Sequence, residues 1–260
     1  MTKIVLIGAG NVGFHLGQAL HALSHTEILQ VFSRSTSKAK RLAGLLDCSF
    51  TQKLQDIDTS ADLYILAISD TAIPTVIEQL YQQPTLREKL FVHTSGATPM
   101  TVFSDYFPRC GIFYPLQSFS VERKPDFSVV PFCVDAVEEE DFNLLFKLAE
   151  SLSNRVEKVT DSQRAVLHVA AVFVNNFTNF MYTIGSEISE KGNVNFDLLK
   201  PLILETAKKI TYNSPREMQT GPAVRADEAT INRHLKLLAE MPEYAKVYAL
   251  LTEMIRKDDF

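Results

Sequence analysis

The sequence has no excess of positive charge. Its 26 Lys and Arg residues stand against 31 Asp and Glu, leaving a net charge of −5 over 260 residues. That balance offers no general basic field to nucleic acid or to an anionic membrane surface. It also lacks an apolar run near the roughly twenty residues that a membrane-spanning helix needs. The N-terminus goes straight into a strand-like segment where a secreted protein would carry a signal peptide. Cysteine is scarce: Cys48, Cys110 and Cys133 are odd in number, widely spaced and set among strand-like neighbours, so they read as reduced core thiols. His21 and His25 have helical spacing but no third ligand nearby, so no metal site is expected. Repeats and low-complexity tracts are missing as well. What remains is an ordinary soluble chain, expected in the cytoplasm. Its 46% hydrophobic content suffices for one large domain or two modest ones.

The first thirty-five residues carry the most information. An apolar run, Lys3 to Ile7, feeds directly into Gly8-Ala9-Gly10-Asn11-Val12-Gly13, and an amphipathic helix follows (Phe14, Leu16, Ala19, Leu20, Leu23). This strand, turn and helix context is what the glycine fingerprint of a dinucleotide site requires. Gly8 permits the tight turn, Gly10 lets the backbone approach a pyrophosphate, and Gly13 lets the helix pack close to the sheet. The pyrophosphate would sit on the helix N-terminus, where unpaired N–H groups and the dipole favour an anion. A second apolar run, Ile28 to Phe32, ends in Ser33-Arg34-Ser35. NAD sites place a carboxylate there for the ribose 2′-OH, whereas NADP sites place an Arg and small hydroxyls for the 2′-phosphate. The expected cofactor is therefore NADP, with Lys38 and Arg41 adding positive charge. The alternative is an ordinary solvated basic patch after a strand.

The first half alternates strand-like and helix-like segments, as a parallel sheet with crossover helices requires. Strands are expected at Ile4–Ile7, Ile28–Phe32, Leu63–Ile68, Leu90–His93, Gly111–Phe113, Phe132–Val134 and Arg155–Val159. Helices are expected near 11–23, 36–45, 72–82 and 138–152, with a proline-marked loop over 114–131. From Asp161 onward the pattern is helical: one long helix over 161–189, then others near 195–212, 227–239 and 243–257. The expected fold is α/β, a Rossmann-like, mostly parallel sheet domain (1–160) followed by an all-helical C-terminal domain (161–260). Substrate would bind in the cleft between them.

Loops after successive parallel strands converge on the cofactor, so their residues are site candidates. Ile68 and Ser69 would line it, with Asp70 the simplest N-cap of the next helix. His93 is either a structural histidine or part of the site, and Ser95 and Gly96 are candidates for backbone contact. The segment Tyr114 to Phe119, including Gln117, either covers the nicotinamide pocket or is a plain packed loop. On the long helix, Arg164, His168, Asn175 and Asn179 share one face of a segment otherwise apolar nearly all round and therefore expected to be buried. Buried polar groups need partners. These are either structural ones or a substrate, in which case His168 and Asn175 face it. Near the end, Arg225 either clamps an anionic substrate group or pairs with Asp227 or Glu228, in a loop that caps the helix leading to His234.

Together these residues resemble a known family, assigned as NADP oxidoreductases, with an N-terminal Rossmann-like domain and a C-terminal helical domain of unknown function. It is related to deazaflavin-dependent NADP reductases and, more distantly, to pyrroline-carboxylate, ketopantoate and hydroxyisobutyrate reductases of the 6-phosphogluconate-dehydrogenase-like group. The resemblance covers essentially the whole chain, through Gly8–Gly13, Tyr114–Gln117, His168 with Asn175 and Asn176, and Thr220-Gly221-Pro222 with Arg225, Asp227 and His234. Tyr114 stands where His often precedes Pro, and Ala226 where Gly often separates Arg from Asp. Ala171 replaces the catalytic Lys that hydroxyacid dehydrogenase relatives carry one turn before Asn, which argues against transferring their mechanism. The resemblance implies hydride transfer between NADP(H) and a small, unidentified acceptor. His168 would act as acid or donor and Asn175 would orient the substrate, with Gln117, Arg225 and His234 as further substrate contacts. A non-catalytic NADP-binding redox sensor is the rival. A homodimer is expected, because Val172, Phe173, Phe177, Phe180, Met181 and Ile184 are more apolar surface than a small helical domain easily buries alone.

Overall fold

The computed structural model describes residues 1–257. Its contacts divide the chain into two compact units, Met1–Asn175 and Asn176–Phe260. The first contains β1 (Thr2–Ile7), α1 (Asn11–His21), β2 (Thr26–Phe32), α2 (Thr36–Leu46), β3 (Ser49–Thr51), β4 (Leu63–Leu66) and α3 (Ile73–Tyr81). It continues through β5 (Leu90–His93), β6 (Cys110–Pro115), β7 (Phe132–Ala136), α4 (Glu139–Glu150), β8 (Val156–Lys158) and α5 (Asp161–Ala171). Eight strands form one sheet in the order β3-β2-β1-β4-β5-β6-β7-β8, parallel except between β6 and β7.

The apolar runs of the central strands are continuous because both sheet faces are covered. Alternate residues of β1 go to opposite cores: Ile4 and Leu6 pack with Leu16 and Leu20 of α1, Val5 and Ile7 with Ile73 and Ile77 of α3. Since β2 and β4 flank β1 on opposite sides, the strand order reverses there. A crevice then opens at the carboxyl ends of β1 and β4, where open α/β sheets bind ligands.

Several expectations are refined. β3 is absent from the sequence reading: three residues on the sheet edge, with Phe50 exposed, give no periodic signal. β6 extends through Tyr114 and Pro115, so these pair with Cys133 and Phe132 instead of belonging to the loop. The contacts group α5 with the sheet unit, up to Asn175, because this helix is tied to the loops after β5. Asp161 accepts from the Met100 N–H (2.8 Å), and Arg164 donates to the Thr98 carbonyl (2.5 Å). A reciprocal capping box, Thr160 with Gln163, starts this helix.

The helix expected over 161–189 is three segments: α5, a π-helical stretch Val172–Phe177, and α6 (Thr178–Lys191). The expected burial of this segment is not found in the single chain, where Val166, Val169, Phe173 and Val174 are all exposed. The second unit adds a 3-10 turn at Phe196–Leu199, α7 (Lys200–Lys209), α8 (Glu228–Leu237) and α9 (Pro242–Lys257). It contains no strand among the described residues, as expected of an all-helical domain. Asp227 caps α8 by accepting from the Thr230 N–H (3.0 Å). Ala226, just before it, has φ +50°, the left-handed conformation that glycine adopts without strain.

Candidate functional site

A cavity of about 1120 Å³ opens along the carboxyl ends of the parallel strands. One end is lined by Ser33, Arg34, Ser35 and Lys38 after β2, its middle by Gly8 to Val12 and by Ile68 and Ser69 after β4. The other end meets Thr94, Ser95, Gly96, Tyr114, Gln117 and His168.

The three glycines occupy different surroundings. Gly8 has φ +123°, and a Cβ there would lie 2.1 Å from the Ala67 carbonyl oxygen. A Cβ on Gly13 would lie 2.2 Å from the Gly8 oxygen, so Gly13 sits against the turn and does not line the cavity. Above Gly10 there is only open space. Gly10 is the N-cap of α1 and offers no side chain to its first-turn N–H groups. Those groups have no acceptor within the helix, leaving them available to an anion. The Asn11 side chain is committed elsewhere: its amide donates to the Phe119 carbonyl (2.9 Å). With His15, whose Nε2 meets the Ser120 carbonyl at 2.7 Å, it holds the loop after β6 against α1.

These features fit a dinucleotide phosphate: an uncapped helix N-terminus, a bare Gly10 backbone, and cations with no carboxylate at the end of β2. At that end Ser35 caps α2, its hydroxyl accepting from the Lys38 N–H at 3.5 Å. Ser33 accepts from the Ser35 N–H (3.2 Å), fixing the path of the loop around Arg34.

The far end differs in part from expectation. Asp70 opens a short 3-10 turn, and α3 begins at Ile73 with Ala72 as its N-cap, so Asp70 does not cap the helix. Ser95 lines the cavity, but its N–H already donates to His93 Nδ1 (3.2 Å) and its hydroxyl accepts from the N–H groups of Ala97 and Thr98. Its carbonyl remains for a ligand. Gln117 reaches the cavity while its side-chain oxygen accepts from the Ser118 N–H (2.8 Å). Arg164 is the largest fully buried side chain; its Nη2 meets the Thr98 carbonyl and pairs with Asp161 (2.8 Å), while its Nε and Nη1 are buried without a partner, and it does not line the cavity.

His168 is half-buried and lines the cavity, and its buried Nδ1 has no hydrogen-bond partner. Gly96 makes room for it: a Cβ there would meet Nδ1 at 2.5 Å and the Tyr114 hydroxyl at 2.8 Å. Tyr114, which opens the segment expected either to cover the nicotinamide pocket or to pack as a plain loop, therefore shares one point of the wall with His168. Burial pushes its phenol up to about 12, so it is a protonated donor at neutral pH. Asn175 does not line the cavity and is exposed. It sits in the π-helical stretch, whose wider winding takes it off the 3.6-residue phase that joined it to His168 on paper. Arg225 and His234 lie in the second unit. Arg225 makes no ion pair among the described residues, Glu228 pairing instead with Arg256. His234 Nδ1 is engaged with the Tyr248 hydroxyl at 2.8 Å.

His93 is a structural histidine, wholly buried and stacked on Phe103. Burial, reinforced by the Arg164 charge, pushes it down to about 4. The unfolded imidazole, near 6.5, then binds a proton that the native one refuses. The stabilisation is complete above about pH 6.5 and is lost as pH falls toward 4, with about 2 kcal/mol gone by pH 5. Urea denaturation at pH 7.5 and 5 should show that extra loss in the wild type but not in His93→Gln. Equal losses in both would reject it.

The site is thus that of a doubly wound nucleotide-binding fold. Family models match a Rossmann-like domain over residues 1–113 and a domain of unknown function (DUF2520) over 130–255, the latter starting within the sheet unit just before β7. A crystal structure from Bacteroides fragilis, described as a "putative NADP oxidoreductase", is 41% identical, covers 98% of each chain and superposes with a TM-score of 0.92. The chain belongs to the same family, in which the Rossmann-like domain precedes the DUF2520 domain. Two more distant structures share the fold. A Thermotoga maritima protein is 19% identical, with 98% of this chain and 97% of the other covered and a TM-score of 0.74. An imine reductase from Myxococcus stipitatus, in complex with NADP+, is 16% identical, with 98% and 93% covered and a TM-score of 0.72. No curated protein matched the sequence.

Proposed function

We propose that this protein is an NADP(H)-dependent oxidoreductase that moves a hydride between the nicotinamide and a small organic acceptor. The observation that carries the proposal is the cavity itself. It runs from Arg34 and Lys38, past the open face of Gly10, to a polar end lined by Tyr114 and His168. When bound, NADPH supplies the hydride; the chain supplies everything else. Arg34, with Ser33 and Ser35, holds the 2′-phosphate, and the N–H groups at the start of α1 hold the pyrophosphate. Ile68, Ser69 and the Ser95 carbonyl flank the nicotinamide, and His168 gives or takes the proton that accompanies the hydride.

Arg34→Ala should weaken NADP+ binding about tenfold or more, because a charge-assisted, forked contact is lost, and leave NAD+ affinity nearly unchanged. Calorimetric titration of both cofactors tests this. Equal affinity of the wild type for the two would sink the NADP assignment.

A homodimer working in the cytoplasm completes the proposal. The second unit leaves Phe180, Leu202, Leu204, Leu250 and Met254 exposed, while Ile184, expected to share that surface, is buried within it. So much apolar surface is typical of an interface between subunits. The three cysteines are free, with burial pushing each thiol up to about 11, which suits a reducing compartment. Light scattering at micromolar concentration should give twice the chain mass; a monomer mass would refute the dimer. Among the described residues no helix is long and apolar enough to cross a membrane.

A further inference from the structure

We infer that Lys53 is a third cation of the 2′-phosphate subsite and a determinant of the preference for NADP over NAD. The inference rests on the NADP reading above and adds a residue supplied by β3, the strand that has no signature in the sequence. The Ser33 N–H donates to the Thr51 carbonyl (3.2 Å), which brings the end of β3 beside the end of β2. Gln52 reinforces that junction, its side-chain amide donating to the Arg34 carbonyl at 3.2 Å. Lys53 follows in a built turn. Its N–H donates to the Thr51 hydroxyl oxygen (3.1 Å), and that hydroxyl donates back to the Lys53 carbonyl (3.3 Å). The next residue, Leu54, is buried, and its carbonyl accepts from the Gln83 side chain at 2.7 Å. The position of Lys53 is therefore set by the fold.

Arg34 and Lys38, from the β2–α2 connection, and Lys53, just after β3, line one end of one cavity. Among the described residues none of the three forms an ion pair, whereas Lys191, Lys200, Lys209, Lys246 and Lys257 all do. The lining contains a single carboxylate, Asp70, which follows β4 instead of β2. In a chain of net charge −5, three unpaired cations facing one space are mutually repulsive unless an anion joins them. A phosphate monoester, close to a dianion above pH 6, has the charge and the acceptor oxygens to do so. The diphosphate bridge of the same cofactor is assigned to the α1 N-terminus, so the 2′-phosphate is the group left for this cluster.

Calorimetry on the full chain with NADP+, NAD+ and adenosine 2′,5′-bisphosphate tests the assignment. Lys53→Gln should weaken NADP+ and the bisphosphate about tenfold, the loss of one charged contact, while leaving NAD+ within about twofold. Lys53→Arg should retain most of the affinity. Lys40→Gln, which removes an exposed charge of α2 outside the cavity, should leave all three ligands unchanged. An unaltered NADP+ affinity in Lys53→Gln overturns the inference, as does an equal loss for NAD+, which would place the side chain against the adenosine common to both. A wild type that binds none of the three overturns the NADP reading and this inference with it. A wild type that prefers NADP+ and loses that preference in Arg34→Ala but not in Lys53→Gln overturns only the role of Lys53.

Discussion

Gly8→Ala is expected to destabilise the protein by about 3–5 kcal/mol, while Gly10→Ala two residues later leaves the fold intact and weakens nucleotide binding. The two glycines belong to one motif but answer to different forces. Gly8 has φ +123°, a region closed to L side chains, and its missing Cβ would lie 2.1 Å from the backbone oxygen of Ala67. That oxygen cannot yield, because it belongs to the chain leaving β4, next to β1 in the sheet. Gly10 has φ −78°, which any residue adopts, and open space where its Cβ would be. A methyl there meets no protein atom but occupies the approach to the α1 N–H groups. Gly10→Ala should melt within about 1 kcal/mol of the wild type, the cost of an alanine at an N-cap. Its affinity for NADP+ should fall at least about tenfold. Urea denaturation and calorimetry on both variants separate the cases. A stable Gly8→Ala protein would mean that the turn relaxes, and full affinity in Gly10→Ala would mean that the pyrophosphate does not pass over it.

The same contrast shows what was legible in the sequence. Local rules fix the glycine turn, so its residues could be read directly, as could α1, α2 and the central strands whose apolar runs mark burial on both faces. Residues whose role depends on non-local pairing could not. Ser49–Thr51 is a strand only because β2 offers it an edge, so Lys53 had no signal to place it opposite Arg34. Tyr114 read as loop because Pro115 follows it, yet the antiparallel partner β7 carries β6 two residues further. Asn175 was phased with His168 on the assumption of 3.6 residues per turn, and no side-chain pattern announces that the backbone widens to π-helix at Val172. Gly96, a candidate for backbone contact in the sequence, has a role no local pattern shows: its missing side chain leaves room for both Tyr114 and His168.

His168→Asn is expected to lower turnover about 10²–10⁴-fold, the usual contribution of a general acid or base, with NADPH affinity nearly unchanged. An imidazole is suited to this task because either ring nitrogen can carry or accept the proton. The geometry makes the outcome diagnostic. His168 lines the end of the cavity away from Arg34, so its loss should not disturb the phosphates. Its Nδ1 is buried with no partner in the protein, so truncating it breaks no internal hydrogen bond at that atom. A purely structural histidine would instead be tied to its surroundings, and removing it would cost about 1–3 kcal/mol and reduce activity only through unfolding. His93, in the same unit, is closer to such a case: Ser95 donates to its Nδ1 and Phe103 stacks on its ring, although its buried Nε2, like His168 Nδ1, has no partner. What separates the two is that His168 lines the cavity and His93 does not. Melting temperature, NADPH affinity and the rate constant, measured on the one variant with an acceptor that the wild type reduces, discriminate the two accounts. A protein that melts early and turns over at the wild-type rate would remove His168 from the chemistry and leave the neighbouring Tyr114 hydroxyl as the proton donor at that end of the cavity.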